Sequence, residues 1–282
     1  MEIIVRIAIL FLLFLCSFAI SCNSQGVCQR YCNIFIGTNS DAFNYEIPRA
    51  SGDKIEGHVF IFINNNPVEY YGGYGKTIQV NQWLKPEQNN MRIVGVSSRD
   101  LFVKVVSSDV YGGNSMVLAK FQVQKGNVEE SFTFNVKNIV GELPLFNSII
   151  SSERSLVKEE LTDEVIQLKK DIESNNETEI VRKMLIGPSL WYQIAYNVDW
   201  EEIEENLKKR IINLYSHKTK VQIDLNRDEL EFVFGENSVY VYSSIGSGNI
   251  PAPFLFTVEG SKKVTVPAVK LIKYNDEWII WH

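Results

Sequence analysis

Three groups of residues in this chain have types and spacings that could do chemistry. The first is Tyr70-Tyr71-Gly72-Gly73-Tyr74-Gly75-Lys76-Thr77, which ends in the Gly-Lys-Thr of a phosphate-binding loop. That loop needs a further glycine where Tyr70 stands, and a helix directly afterwards whose N-terminal amides hold the phosphates. Here Ile78 and Val80 alternate with Gln79 and Asn81, which is a strand period. The segment therefore reads as a glycine-rich turn between strands, and a nucleotide site is rejected. The second group is the histidines, His58, His217 and His282. His217 falls in the polar SHKTK at a helix end and His282 is the last residue, so none reads as a core base. The third group is the cysteines, Cys16, Cys22, Cys28 and Cys32.

The cysteines are tied to the N-terminus. Cys16 lies inside IAILFLLFLCSFAI, an apolar run that follows Arg6. The run is shorter than the ~20 residues of a membrane span and fits the core of a signal peptide. Ala19-Ile20-Ser21-Cys22 resembles the lipobox of bacterial lipoproteins, with Ala19 where leucine is usual. The resemblance implies acylation of Cys22 and a membrane anchor. Ala19-x-Ser21 also suits ordinary cleavage, which would leave an odd number of cysteines in an oxidising compartment. Acylation of Cys22 leaves Cys28 and Cys32, a pair that can close one disulfide or remain two free thiols. A zinc site lacks its four ligands.

The rest of the chain must position whatever site exists. Its 282 residues suggest about two domains. A net charge of −6 without a basic block argues against nucleic acid, whose binding rests on lysine and arginine at phosphates. Residues 1–21 read as the signal peptide, and residues 22–49 as a tether with a small disulfide-closed turn. Residues 50–139 carry strand signals alone. VFIFI (Val59 to Ile63), Met91 to Val94 and LFVKVV (Leu101 to Val106) come first, then the alternating sets Val117/Ala119/Phe121/Val123 and Phe132/Phe134/Val136. Strands at such spacing, split by Asn/Gly turns, predict an all-β antiparallel sandwich.

Residues 140–150, VGELPLFNSII, contain glycine and proline with no period and read as a linker. Residues 151–282 then change character. Leu156, Leu161, Val165, Leu168 and Ile172 form a helical stripe, and a second helix runs through Ile180 to Leu185. A third is capped by Asp199 and carries Trp200, Ile203, Leu207 and Ile211 on one face. The strands VQIDL, ELEFVF, SVYVYSS, PFLFTV, KVTVPAVKLIKY and WIIWH follow. Helices first and strands after predict an α+β fold.

The order of elements in the second half, with the ending AVKLIKYNDEWIIWH, resembles the nuclear-transport-factor-two-like superfamily. The resemblance implies a cone of helices packed on a curved antiparallel sheet, with Asn275-Asp276-Glu277 as the final turn and Trp278 facing the helices. Members include isomerases and dehydratases as well as non-catalytic binding domains. In the first half, Gly72-Gly73-Tyr74 and Leu84-Lys85-Pro86-Glu87-Gln88-Asn89 resemble the jelly-roll sugar-binding domain of family-two glycoside hydrolases. Asn65-Asn66 stands for its Asn-Gly turn, and Glu87 stands where glycine is usual.

These readings give the residues that could bind a ligand. Tyr70, Tyr71, Tyr74 and Trp83 are either a stacking platform for a sugar or plain packing partners. Trp191, Tyr192 and Tyr196 either line a cavity in the cone or belong to its core. No catalytic, metal or cofactor motif is present in the sequence. The expectation is an exported, lipid-anchored envelope protein with a non-catalytic binding or interaction role. Its partners would be the membrane, through the anchor, and another envelope protein or a carbohydrate. The alternatives are a small-molecule enzyme of isomerase or dehydratase type in the α+β cone and a carbohydrate-binding module in the sandwich.

Overall fold

Alternation of apolar and polar residues builds the first half, and a helical stripe the second. The computed structural model describes residues 31–38, 40, 57–71, 75–108, 115–136, 153–196, 200–215, 221–223, 225, 227–243, 256–258, 264–265, 269–274 and 277–281. Its first strands are β1 (Tyr31–Gly37), β2 (Gly57–Ile63), β3 (Asn66–Tyr71) and β4 (Lys76–Gln79). They are followed by β5 (Glu87–Ser97), β6 (Leu101–Ser108), β7 (Met116–Val123) and β8 (Gly126–Val136). These strands make two four-stranded antiparallel sheets, ordered β4-β1-β6-β7 and β3-β2-β5-β8. Ile34, Ile36, Val103 and Val105 from the first share one core with Val59, Ile61, Met91 and Ile93 from the second.

The segment expected to be a tether contributes β1, the strand between β4 and β6. Ile34 and Ile36 are both fully buried, so residues 31–37 belong to the core and the first sheet cannot form without them. The N-terminal residues 1–21 and the expected linker, 140–150, lie outside the described residues.

Side-chain amides hold the hairpin of β2 and β3. Asn64 and Asn65 have φ of 47° and 66°, the two positive values of a type I′ turn. The turn is therefore at Asn64-Asn65, one residue earlier than expected. Asn64 Nδ2 donates to Trp83 O at 2.8 Å and to Asn89 Oδ1 at 2.7 Å. Asn89 Oδ1 also accepts from Lys85 N–H at 2.7 Å, which closes the turn before β5. Glu87, where glycine was usual, takes a φ of 71° within that turn.

The second half has helices α1 (Arg154–Glu173), α2 (Glu177–Tyr196) and α3 (Trp200–Tyr215). Its strands are β9 (Val221–Ile223), β10 (Leu230–Phe234), β11 (Ser238–Ser243) and β12 (Phe256–Val258), then β13 (Val264–Thr265), β14 (Val269–Tyr274) and β15 (Glu277–Trp281). They form a sheet ordered β10-β11-β14-β15 and a small one ordered β13-β12-β9, all antiparallel. The whole is a β-rich α+β fold of several antiparallel sheets and three helices among the described residues. No helix among them is long and apolar enough to cross a membrane.

Leu161, Val165, Leu168 and Ile172 carry the stripe of α1 into the helix-facing core, with Val239, Val241, Val269, Leu271 and Ile280 from the sheet. Leu156 is 68% exposed and does not belong to the stripe; Val157 takes its place. Helix α2 runs past Leu185, through Pro188, and includes Trp191, Tyr192 and Tyr196. It approaches the sheet so closely that a Cβ on Gly187 would lie 1.9 Å from Ile280 O.

The four-stranded C-terminal sheet is covered on both faces. Its helix-facing row is Val239, Val241, Val269, Leu271, Trp278 and Ile280. Its other row meets the sandwich: Ile272, Ile279 and Trp281 join the core of the first half. Tyr240 packs with Phe60, Phe62 and Tyr70. Among the described residues strand β15 pairs only with β14 and ends the sheet. Polar contacts bind the halves as well. Asn66 Oδ1 accepts from Asn237 N–H at 2.7 Å and Ser238 Oγ at 3.2 Å.

Candidate functional site

The segment that opened the phosphate question runs from β3 into β4, so a strand and not a helix follows Lys76. Its two strands lie in different sheets, so the turn crosses between sheets and is not a hairpin tip. Lys76 reaches back across it to Glu69, with Nζ 3.0 Å from Oε1. The second Tyr-Gly-Gly, at 111–113, lies outside the described residues but joins β6 and β7, which do pair as a hairpin.

The aromatic residues around that turn are packing partners. Tyr70 is 7% exposed, Tyr71 1% and Trp83 3%. Tyr70 meets Phe60 edge-on at 5.2 Å, and Trp83 meets Trp281 edge-on at 6.3 Å. None presents a free face on which a sugar could stack. Burial pushes the Tyr71 hydroxyl up to about 12 and raises those of Tyr70 and Tyr240 further. Tyr74 lies outside the described residues. The backbone of Trp191, Tyr192 and Tyr196 is in α2, and their side chains lie outside the described set.

Cys32 is a free thiol in β1, 1% exposed, and burial raises its pKa to about 12. It is an inert core residue, since the thiolate is the reactive form. Its expected disulfide partner Cys28 and the acylation candidate Cys22 are outside the described residues, as are His217 and His282. His58 is exposed on β2, its ring stacked 5.8 Å from that of Tyr70.

Two charged clusters escaped sequence reasoning. The first is at the junction of the halves. Lys270 is 7% exposed and its Nζ donates to Val68 O at 2.6 Å. Desolvation lowers its pKa, the charge of Glu69 opposes that, and Lys76 adds to it. Tyr240 is the cross-strand neighbour of Lys270. The lysine thus ties β14 to β3, whose edge the C-terminal sheet covers. From sequence, Lys270 in AVKLIKY looks like the solvent-facing position of an alternating strand. Only the second layer of structure puts it inside.

The second cluster lines a pocket between α1, α2 and the C-terminal sheet. Glu164, Val165 and Leu168 come from α1, Lys183 from α2, and Val269, Leu271, Trp278 and Ile280 from β14 and β15. Lys183 Nζ lies 3.5 Å from Glu164 Oε2 and 3.4 Å from Asp171 Oδ2. Asp171 is 4% exposed and also accepts from Gln167 Nε2 at 3.1 Å. Trp278 Nε1 is buried with no acceptor among the described residues. The cavity volume is about 20 Å³, room for a water. The lining has no tyrosine or histidine, and its one acid, Glu164, is paired with the lysine. Glu164 and Asp171 are seven residues apart on one helix, a spacing that in sequence reads as an ordinary solvated face.

Among the described residues no group of three or more His, Cys, Asp or Glu side chains could hold a metal ion. Comparison with known proteins finds no matching family model, no similar curated protein and no similar solved structure.

Proposed function

We propose that this chain is an exported, lipid-anchored envelope protein that works by binding through its surface, not by catalysis. Cys22 would be the acylated residue. The chain would present a β-sandwich, extended at its N-terminal end to include β1, and a cone-like α+β unit of the nuclear-transport-factor-two-like kind.

The observation that supports this reading is the pocket beneath α1 and α2. In a fold of this kind an enzyme would hold substrate between helices and sheet. The pocket that the described residues form there is about 20 Å³, against the ~300–1,000 Å³ of small-molecule sites. Lys183 and Glu164 occupy its polar side, and Asp171 holds the lysine from behind the lining. Of the aromatic residues offered for ligand stacking, Tyr70, Tyr71 and Trp83 are buried in cores that include residues of both halves. The surface is what remains for recognition.

The anchor is tested by Cys22→Ser. The wild type should fractionate with membranes, take up a fatty-acid analogue and show globomycin-sensitive processing; the variant should do none of these, because anchoring rests on burial worth ~0.8 kcal/mol per CH₂. A soluble wild-type protein that begins at Cys22 and carries no lipid would overturn the proposal.

A further inference from the structure

Among the described residues strands β7 and β8 end their respective sheets and form the flank of the sandwich away from the C-terminal sheet. The opposite edges are managed: β3 lies under the C-terminal half, and β4 is four residues long and bears Lys76. Strand β8 is eleven residues long and pairs only with β5 among the described residues. Beside it Met116 and Val117 are 51% and 47% exposed. Phe121 and Phe132 stack across the flank at 4.2 Å, both half-buried.

The core-facing row of β8 is Val128, Glu130, Phe132, Phe134 and Val136. Val128, Phe134 and Val136 are buried, and the cross-strand neighbour of Glu130 is the fully buried Ile93. Glu130 therefore stands in an apolar row and is nevertheless exposed, with no ion pair or hydrogen bond among the described residues. A solvent-facing acid needs no explanation; an acid in the inward row on an open edge does.

We propose that the β8 edge docks an extended strand of a partner protein, one with alternating apolar residues and a lysine or arginine where it meets Glu130. Strand addition would pair the edge N–H and C=O groups of β8. The apolar row of the incoming strand would lie on Phe121 and Phe132. Its cation would match Glu130 as an opposite-charge cross-strand pair. A second copy of this chain fits poorly: its β4 has Lys76 and Ile78 in the inward row but is four residues long, with the lysine paired to Glu69. The inward row of its β7 is Ala119, Phe121 and Val123, and its Lys120 is on the opposite face of the sheet, across from the buried Lys104. Pairing β7 with β8 would leave Glu130 without a cation.

This inference rests on the binding role proposed above and not on the anchor, so the fractionation of Cys22→Ser and the test below fail independently. The probe is a short fluorescein-labelled peptide alternating valine and threonine, with lysine at the centre of the valine row. A counterpart carries glutamate there. By fluorescence anisotropy the full chain should bind the lysine peptide about tenfold more tightly than the glutamate peptide. Glu130→Gln should abolish that preference. Glu129→Gln, on the outward row, should leave it within about twofold. Equal affinities for the two peptides, or no binding of either, would overturn the proposal. Self-association of Glu130→Gln in sedimentation, with a wild type indifferent to both peptides, would also overturn it and make Glu130 a guard against edge pairing.

Discussion

Truncation of Trp281 tests whether the two halves are one folding unit. Trp281 is 1% exposed and sits in the core of the first half, though it is the last residue of β15. Its indole lies edge-on to Trp83 at 6.3 Å, so one ring from each half meets there. A tryptophan buries ~150–250 Å², which at ~25 cal/mol per Å² is about 4–6 kcal/mol of apolar burial. Alanine keeps a part of this and the cavity collapses only in part, so Trp281→Ala should cost ~3–5 kcal/mol. That is a large share of a stability of ~5–15 kcal/mol. The measurement is urea unfolding followed by two signals. Circular dichroism at the helix band reports on α1–α3, and amide exchange in β2 and β5 reports on the sandwich. Both should move together, because the lost contact belongs to both halves. A cost below ~1 kcal/mol, the scale of a surface change, would refute the burial argument. A shift confined to the helical signal would refute the shared core and restore two independent domains.

Two further outcomes follow from the packing. Gly187→Ala should destabilise by ~1–3 kcal/mol, because the new Cβ would lie 1.9 Å from Ile280 O and α2 must lift from β15. A loosely packed helix would instead gain ~1 kcal/mol from the same change, so a rise in melting temperature would contradict the contact. Alkaline titration should show opposing effects of the buried groups. Lys270 has a lowered pKa when folded, so the unfolded chain binds the extra proton and stability rises with pH toward the ordinary value of 10.5. Tyr70, Tyr71 and Tyr240 have raised values, so above pH 10 the unfolded chain releases protons first and each takes away ~1.4 kcal/mol per pH unit. Tyr240→Phe should lessen the steepness of that loss above pH 10; an unchanged slope in urea melts would show that Tyr240 does not stay protonated in the folded protein.

What the sequence discloses and what it hides divides along one line. Period assigns faces: it finds β2, β5, β6, β7 and β8, the stripe of α1, and a final hairpin in which Trp278 and Ile280 face one way and Ile279 and Trp281 the other. Period does not say what covers a face. Strand β1 is only seven residues, YCNIFIG, in polar surroundings, and its partners β4 and β6 lie about 45 and 70 residues on, so nothing local marks it as a central strand. Tyr70 and Trp83 look like a platform because an aromatic at a turn is often exposed; here the C-terminal sheet lies over them. Lys270 and Glu130 are the sharpest pair. Both are charges in alternating apolar strands, and the sequence gives them the same reading, a residue that faces water. The lysine is on a row that a second layer covers, so it gave up hydration for one carbonyl and the field of Glu69. The glutamate is on the core-facing row of an edge that no described strand covers, and keeps its water. The difference lies in a neighbour more than a hundred residues away in one case, and in the lack of a described neighbour in the other. That is why burial of a charge had to come from the fold, and why Glu130, not Lys270, is the charge left for a partner to meet.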